Sequence, residues 1–239
     1  MKQRLDQTLV TLGLVPTRSQ AESYIKLGDV KVNGRVITKS GEPVGEQDKI
    51  VLAPRQQYVS RAALKLASVT AALNISFKGK TILDVGSSTG GFTDYALKHG
   101  AVKSIAVEVG TNQLHPSLHG NPLIELHEQT DIRDFKTDQL IEIVVADVSF
   151  ISLREILPSV ARLCTPQTAI IAMVKPQFEA GQSSLKHKGV IKNDRMRRDI
   201  LHDFETWTKS HFKIVSKADS QVSGSKGNVE RFYHLQKLV

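Results

Sequence analysis

Between Thr81 and Gly100 the chain reads TILDVGSSTGGFTDYALKHG: an apolar run ends in Asp84, a glycine-rich turn follows, and a helical pattern opens. Glycines let a backbone approach an anionic or nucleotide-like ligand closely. Three chemistries write similar text: a dinucleotide loop, the elbow of a serine hydrolase, and the adenosylmethionine pocket of a methyltransferase. A P-loop needs Gly-Lys-Ser/Thr after the glycines, and Gly90-Gly91-Phe92 does not supply it. Gly86 to Gly90 (GSSTG) satisfies G-x-S-x-G with Ser88 as nucleophile, and histidines follow downstream, but no His-Gly oxyanion stretch is visible. The dinucleotide fingerprint wants glycine where Ser88 stands.

The elements around the turn narrow the choice. TILDVG, SIAVEVG, PLIELHE, EIVVADVSF and TAIIAMVKP read as strands, with helices FTDYALKHG and LREILPSVARL among them. That alternation predicts an α/β fold with a doubly wound parallel sheet covered on both faces. Ligands bind such sheets at the carboxyl ends of the strands. Asp84, Glu108, Asp147 and Lys175 all fall at those ends. A strand ending Asp-x-Gly, a glycine turn and an acid closing the next strand is the usual adenosylmethionine arrangement. Gly86, Gly90 and Gly91 admit the methionine part of the cofactor, with Ser88 and Phe92 in the same turn and Asp84 shaping it. Glu108 is placed to accept both ribose hydroxyls. Asp131, just past the third strand, is placed to meet the adenine amino group, with a solvated turn as its alternative.

The 239 residues carry net charge +8 and a sequence pI near 9.5, which makes RNA or DNA the expected partner ahead of a membrane. Cys164 is the only cysteine, so internal disulfides and multi-Cys zinc sites are excluded and a reducing cytoplasm fits. His115 and His119 are four apart, but Pro116 lies between them and no third ligand is apparent, so no metal is expected. No apolar run approaches the ~18–20 residues of a membrane span.

The front of the chain reads as a separate small module. Leu5, Leu9 and Leu12 have helical spacing, SQAE from Ser19 to Glu22 fits a capping box, and the helix it opens should stop at Gly28. VKVNGRVI then predicts a hairpin turning at Asn33-Gly34. Residues 1–55 hold nine Lys/Arg against six Asp/Glu, and Arg4, Arg18, Lys26, Lys31 and Arg35 are available for one basic face, a solvated surface being the alternative. TRSQAESYIKLGDVKVNGRVI resembles the αL-motif RNA-binding domain of a small-subunit ribosomal protein, also found in pseudouridine synthases and bacterial tyrosyl-tRNA synthetases. The resemblance covers Lys2 to about Leu52 and implies binding of structured RNA. LAPRQQYVSR carries Pro54 and polar residues, so a linker is expected over 56–62 and the larger domain over 63–239.

YVSRAALKL, ADVSFISL, VKPQFEAG and GNVERF follow in order and, with the glycine loop, resemble the FtsJ-like RNA 2′-O-methyltransferases. With the front module the whole chain resembles the TlyA family of ribosomal RNA methyltransferases, some of whose members carry the name hemolysin. The resemblance implies S-adenosylmethionine as cofactor, ribosomal RNA or a ribosomal subunit as partner, and a Lys-Asp-Lys-Glu tetrad on Lys65, Asp147, Lys175 and Glu230. In that scheme Lys175 is the base for a ribose hydroxyl, burial and the Lys65 ammonium favouring its neutral form. Asp147 sits between cofactor and substrate, and Glu230 holds the lysines. Two departures stand out: Ala62 and Ala63 replace the usual glycines before the first lysine, and Arg231 replaces an apolar residue. KHKGVIKNDRMRR (Lys186–Arg198) adds seven basic residues beside the pocket, with Lys188 and Arg195 as expected phosphate contacts and Asp194 as the expected helix cap. The alternatives are a noncatalytic RNA-binding or ribosome-assembly factor and a membrane-active hemolysin.

Overall fold

The computed structural model describes residues 2–15, 17–53, 58–180, 190–191, 193–222, 224 and 227–238. Lys188 lies outside them, as do Gln56 and Gln57 of the expected linker.

The front module comprises β1 (Gln3–Arg4), α1 (Leu5–Thr11), α2 (Arg18–Lys26), β2 (Val30–Val32), β3 (Arg35–Val36), β4 (Pro43–Val44) and β5 (Ile50–Leu52). Asn33 (φ 51°) and Gly34 (φ 81°) form the two-residue turn of the hairpin, pairing Val32 with Arg35. The α2 cap differs from expectation: Thr17, with an extended backbone, accepts from the Gln20 N–H at 3.3 Å, while Ser19 is already inside the helix. Arg4 and Arg18, expected at RNA, both grip Asp6, which is fully buried, at 2.8 and 2.9 Å. Burial alone would raise the Asp6 carboxyl, but hydrogen bonds from Arg4 and then Arg18 hold it below the ordinary carboxylate range. Leu5, Leu9, Ala21, Tyr24, Ile25 and Val30 form the module's core, and Leu64 and Val222 from the larger domain complete it.

Beyond Tyr58 follow α3 (Arg61–Thr70), β6 (Thr81–Val85), α4 (Gly91–Lys98), β7 (Lys103–Val107), β8 (Ile124–His127), β9 (Ile143–Ala146), α5 (Leu153–Arg162), β10 (Ala169–Val174), α6 (Pro176–Glu179), α7 (Asp194–Lys209), β11 (Phe212–Asp219) and β12 (Arg231–Lys237). Among the described residues the central sheet has seven strands in the order β11-β12-β10-β9-β6-β7-β8. β8, β7, β6, β9 and β10 run parallel, whereas β12 opposes both β10 and β11. The five strands read from the sequence are parallel as expected, and β11 and β12, which the sequence reading did not include, extend the sheet at one edge with β12 antiparallel. Alternate strand residues serve opposite faces. Leu83, Val144 and Ile170 pack with α5 and α7, while Ile82, Val145 and Ile171 pack with α3 and α4. The α7 cap is Asn193 rather than Asp194; its side chain accepts from the N–H groups of Arg195 and Met196.

From β6 the chain winds outward through β7 and β8, and from β9 it winds the other way through β10. The carboxyl ends of β6 and β9 therefore flank a topological switch point. Gly91 sets how closely α3 approaches α4: a Cβ there would overlap Ser60 Oγ and lie 2.9 Å from Ala62 Cβ and 3.2 Å from the Ala63 nitrogen. Gly91→Ala is expected to destabilise the fold by about 1–3 kcal/mol, as overpacking does. Denaturant unfolding measures this, and an unchanged midpoint would mean that the α3 start yields freely.

Candidate active site

A cavity of about 420 Å³ opens at the switch point, lined by Gly86 and Ser88 after β6, Glu108 after β7, Asp131 and Ile132, and Asp147 to Ile151 after β9. Gly86 (φ 76°) brings the turn against the β9 exit, where a Cβ would meet Asp147 O at 3.0 Å and Val148 Cγ1 at 3.1 Å. Only glycine holds both that backbone and that approach. The Glu108 carboxylate accepts from Ser88 N–H at 2.9 Å and Gly110 N–H at 2.8 Å. It thus ties the glycine turn to the end of β7 and keeps lone pairs for further donors. Asp131 reaches the cavity but is chelated by Arg133, whose side-chain hydrogen bonds hold its carboxyl below the ordinary range.

Asp84 lies beneath the turn, 1% exposed, accepting from Thr93 N–H at 3.0 Å and Thr93 Oγ1–H at 2.7 Å. It therefore anchors the first turn of α4. Its Oδ1 has no partner among the described residues, and burial pushes the carboxyl up to about 7. Gly90 and Gly91 do not line the cavity: a Cβ on Gly90 would strike Leu118 and Leu114, and Gly91 makes room for α3. Phe92 is buried with its ring 6.1 Å from that of Phe232, so its aromatic face is spent on packing α4 against the sheet.

One ion pair stands at this cavity through Asp147, and the register of β12 brings a second near it. Lys175, next after β10, places Nζ 2.6 Å from Asp147 Oδ1 and donates to Ser149 Oγ at 2.7 Å. Lys65 on α3 places Nζ 2.9 Å from Glu230 Oε1. Glu230 sits one residue past the register pair Val174↔Arg231, so β12 carries it alongside Lys175. Each lysine has its own carboxylate, whereas the sequence reading has Glu230 holding both lysines and Lys65 as the charge beside Lys175. Glu230 Oε2 is buried without a partner among the described residues. Arg231 is explained by the neighbouring strand, since its guanidinium chelates Asp219 at 2.6 and 3.0 Å. Ala62 fits over the space that Gly91 leaves.

Three participants escaped the sequence reading. Ser149 binds Lys175 and also lines the cavity. Phe150 at the cavity mouth is 92% exposed with φ 67°, its ring 5.3 Å from that of Phe178. Glu179 is buried and bonds the start of α5. An aromatic directly after Ser-bearing ADVS, and an acid four residues after Lys175, were the available signals. Lys26, Lys31, Arg35 and Arg195 are exposed, as phosphate contacts need to be. His115 caps the short 3₁₀ turn at Ser117 and His119 bonds Leu114 O; no cluster of three potential metal ligands occurs among the described residues. Among these residues no helix is long and apolar enough to cross a membrane.

Residues 58–237 match the FtsJ-like methyltransferase family model, and residues 3–50 match that of the S4 domain. The chain is 43% identical over 182 residues to the 23S rRNA (cytidine-2′-O)-methyltransferase TlyA of Campylobacter jejuni, covering 75% of this chain and 71% of that one. It is 34% identical over 239 residues to the 16S/23S rRNA (cytidine-2′-O)-methyltransferase TlyA of Mycobacterium tuberculosis, covering 98% and 89%. A solved structure of a candidate hemolysin from Streptococcus thermophilus superposes with a TM-score of 0.72 at 34% identity, over 99% and 88% of the two chains. A glycine turn fixed against β9, acids at successive strand ends and two lysine–carboxylate pairs thus occur in a chain that belongs to the FtsJ-like methyltransferase family, in its TlyA branch with an S4 domain in front.

Proposed function

We propose that the protein transfers a methyl group from S-adenosylmethionine to a cytidine ribose 2′-hydroxyl of ribosomal RNA, in the cytoplasm. The observation that carries this reading is the Lys175–Asp147 pair at 2.6 Å beside a cavity at the switch point. The cavity suits a cationic nucleoside ligand: Gly86 lines it with bare backbone, and Glu108, Asp131 and Asp147 supply carboxylates along it. When bound, the cofactor supplies an electrophilic methyl on a sulfonium. Lys175 would take the proton of the ribose hydroxyl at Nζ, with the bound cofactor supplying the methyl group that the oxygen accepts. Asp147, already 2.6 Å from Nζ, stabilises the ammonium so formed. Lys65, fixed by Glu230, is placed to orient the ribose. Alignment of oxygen, methyl and sulfur provides much of the remaining rate.

In this reading residues 1–55 hold structured RNA through Lys26, Lys31 and Arg35, residues 56–62 join the two parts, and residues 63–239 carry the chemistry. Arg195, which is exposed, contacts the RNA from the catalytic domain, while Arg4 and Arg18 serve the module's own fold through Asp6. Mapping 2′-O-methyl groups in ribosomal RNA from cells with and without the gene tests the function. A cytidine methylated only when the gene is present is the expected result; identical maps would overturn it and leave an assembly factor in its place.

A further inference from the structure

The loop after β9 and the segment after β10 are fastened to each other residue by residue. Lys175 Nζ meets Asp147 Oδ1 at 2.6 Å and Ser149 Oγ at 2.7 Å. The Phe178 ring lies 5.3 Å from that of Phe150. Glu179 then closes the series: its Oε2 accepts from Ser152 Oγ–H at 2.6 Å, and its Oε1 from Leu153 N–H at 2.7 Å. The Glu179 side chain is 1% exposed, with Arg154 Nε 3.6 Å away. Nothing in the chemistry proposed above uses this carboxylate.

We infer that Glu179 is a positioning residue for the methyl-transfer site: it anchors the 147–153 loop to the 175–179 segment and so fixes Lys175 against Asp147 and Ser149. This rests on the methyltransferase reading. Ser152 already caps α5 by accepting from Arg154 N–H at 3.2 Å, so the helix start has a cap of its own. Glu179 adds a tie from a different segment, only four residues downstream of the proposed base. Phe150 between the two ties is held at positive φ although it is 92% exposed. A residue with a Cβ adopts that backbone at a cost, and here no burial offsets it. The loop is pinned at both ends instead. Losing the Glu179 tie frees one end, letting Ser149 and Asp147 drift from Lys175.

The test is single-turnover methylation of ribosomal RNA by the full-length protein with labelled cofactor, alongside cofactor affinity by calorimetry and thermal melting. Glu179→Ala is expected to slow transfer ~10–100-fold, as sub-ångström to ångström misplacement does, with cofactor affinity within about 3-fold of wild type. Glu179→Gln can still accept from Leu153 N–H and donate to Ser152 Oγ, and should recover a rate within about 3-fold of wild type. Ser149→Ala should slow transfer too, and the double variant should lose less than the product of the two single losses, because both act through one lysine. A Glu179→Ala rate near wild type, or multiplicative losses, would overturn the inference. Should the alanine variant not fold, Glu179→Asp decides: its shorter side chain keeps the charge but loses the reach, so Asp performing as well as Gln is the overturning result. Wild-type transfer in the same assay separates the two claims, since its absence removes the methyltransferase reading along with this one, whereas wild-type transfer with an unaffected Glu179→Ala removes only the role of Glu179.

Discussion

Replacing Lys175 with alanine is expected to slow methyl transfer by ~10²–10⁴-fold, the usual consequence of losing a general base, while cofactor affinity holds. The side chain is largely buried between Asp147 and Ser149, and its Nζ lies 5.9 Å from the centre of the Phe178 ring. Its loss leaves Asp147 without a cation, but that carboxylate borders an open cavity that admits water, so the fold should survive. Lys175→Arg should rescue little: guanidinium keeps its proton at any working pH and presents a planar fork where Nζ is a point. Single-turnover methylation at saturating enzyme isolates the step from RNA binding. A Lys175→Ala rate near wild type would move the base elsewhere, even with the fold and family unchanged.

The features that the sequence makes legible are those set by short-range rules. Asn33-Gly34 specifies its turn because few residues tolerate two consecutive positive φ values. The runs in β9 and β10 are apolar throughout because both faces of those strands are covered. Strand-end placement of Asp84, Glu108, Asp147 and Lys175 follows from the same alternation, and the tetrad positions do pair off across 165 and 28 residues of chain. The misses are long-range. β11 alternates buried and exposed residues with two lysines on its open side, and nothing local says that it flanks a reversed strand. Gly90, Gly91 and Phe92 belong to the glycine turn in sequence, yet their neighbours are Leu118, Ser60 and Phe232, which only the tertiary fold supplies. Asp6 looks like a polar residue on an exposed helix until Arg4 and Arg18 are seen to close over it. Glu179 is legible to neither rule, since its role depends on where α5 begins.

Asp84→Asn is expected to flatten the pH dependence of stability. Burial raises the Asp84 carboxyl to about 7 from an ordinary value of 3.8, assisted by the nearby Asp147 and Glu108 charges and opposed by the Thr93 hydrogen bonds. Below about pH 4 both folded and unfolded states hold the proton, and Asp84 contributes no slope. Between there and about 7 the folded state keeps a proton that the unfolded state has released, so stability falls as pH rises. Above about 7 both states are ionised and the penalty is complete, on the order of 4 kcal/mol at 1.36 kcal/mol per unit. Asparagine presents the same acceptor to Thr93 without titrating, and the partnerless Oδ1 position leaves its amide little to disturb. Going from pH 5 to pH 8, where about 2.7 kcal/mol of that penalty accrues at 1.36 kcal/mol per unit, the wild-type melting temperature should therefore fall by roughly 5–11 °C more than that of Asp84→Asn, taking ~2–4 °C per kcal/mol for a chain of this size. Other titrating groups are common to both proteins and cancel in the difference. The carboxylate that destabilises the empty fold is also the one lying beneath a cavity proposed to hold a cation, where added positive charge favours its ionised form. Adding S-adenosylmethionine should accordingly raise the melting temperature of the wild type more at pH 8 than at pH 5, and that of Asp84→Asn nearly equally at both. Parallel melting curves for the two proteins across the range, without cofactor, would show that Asp84 titrates as an ordinary carboxylate.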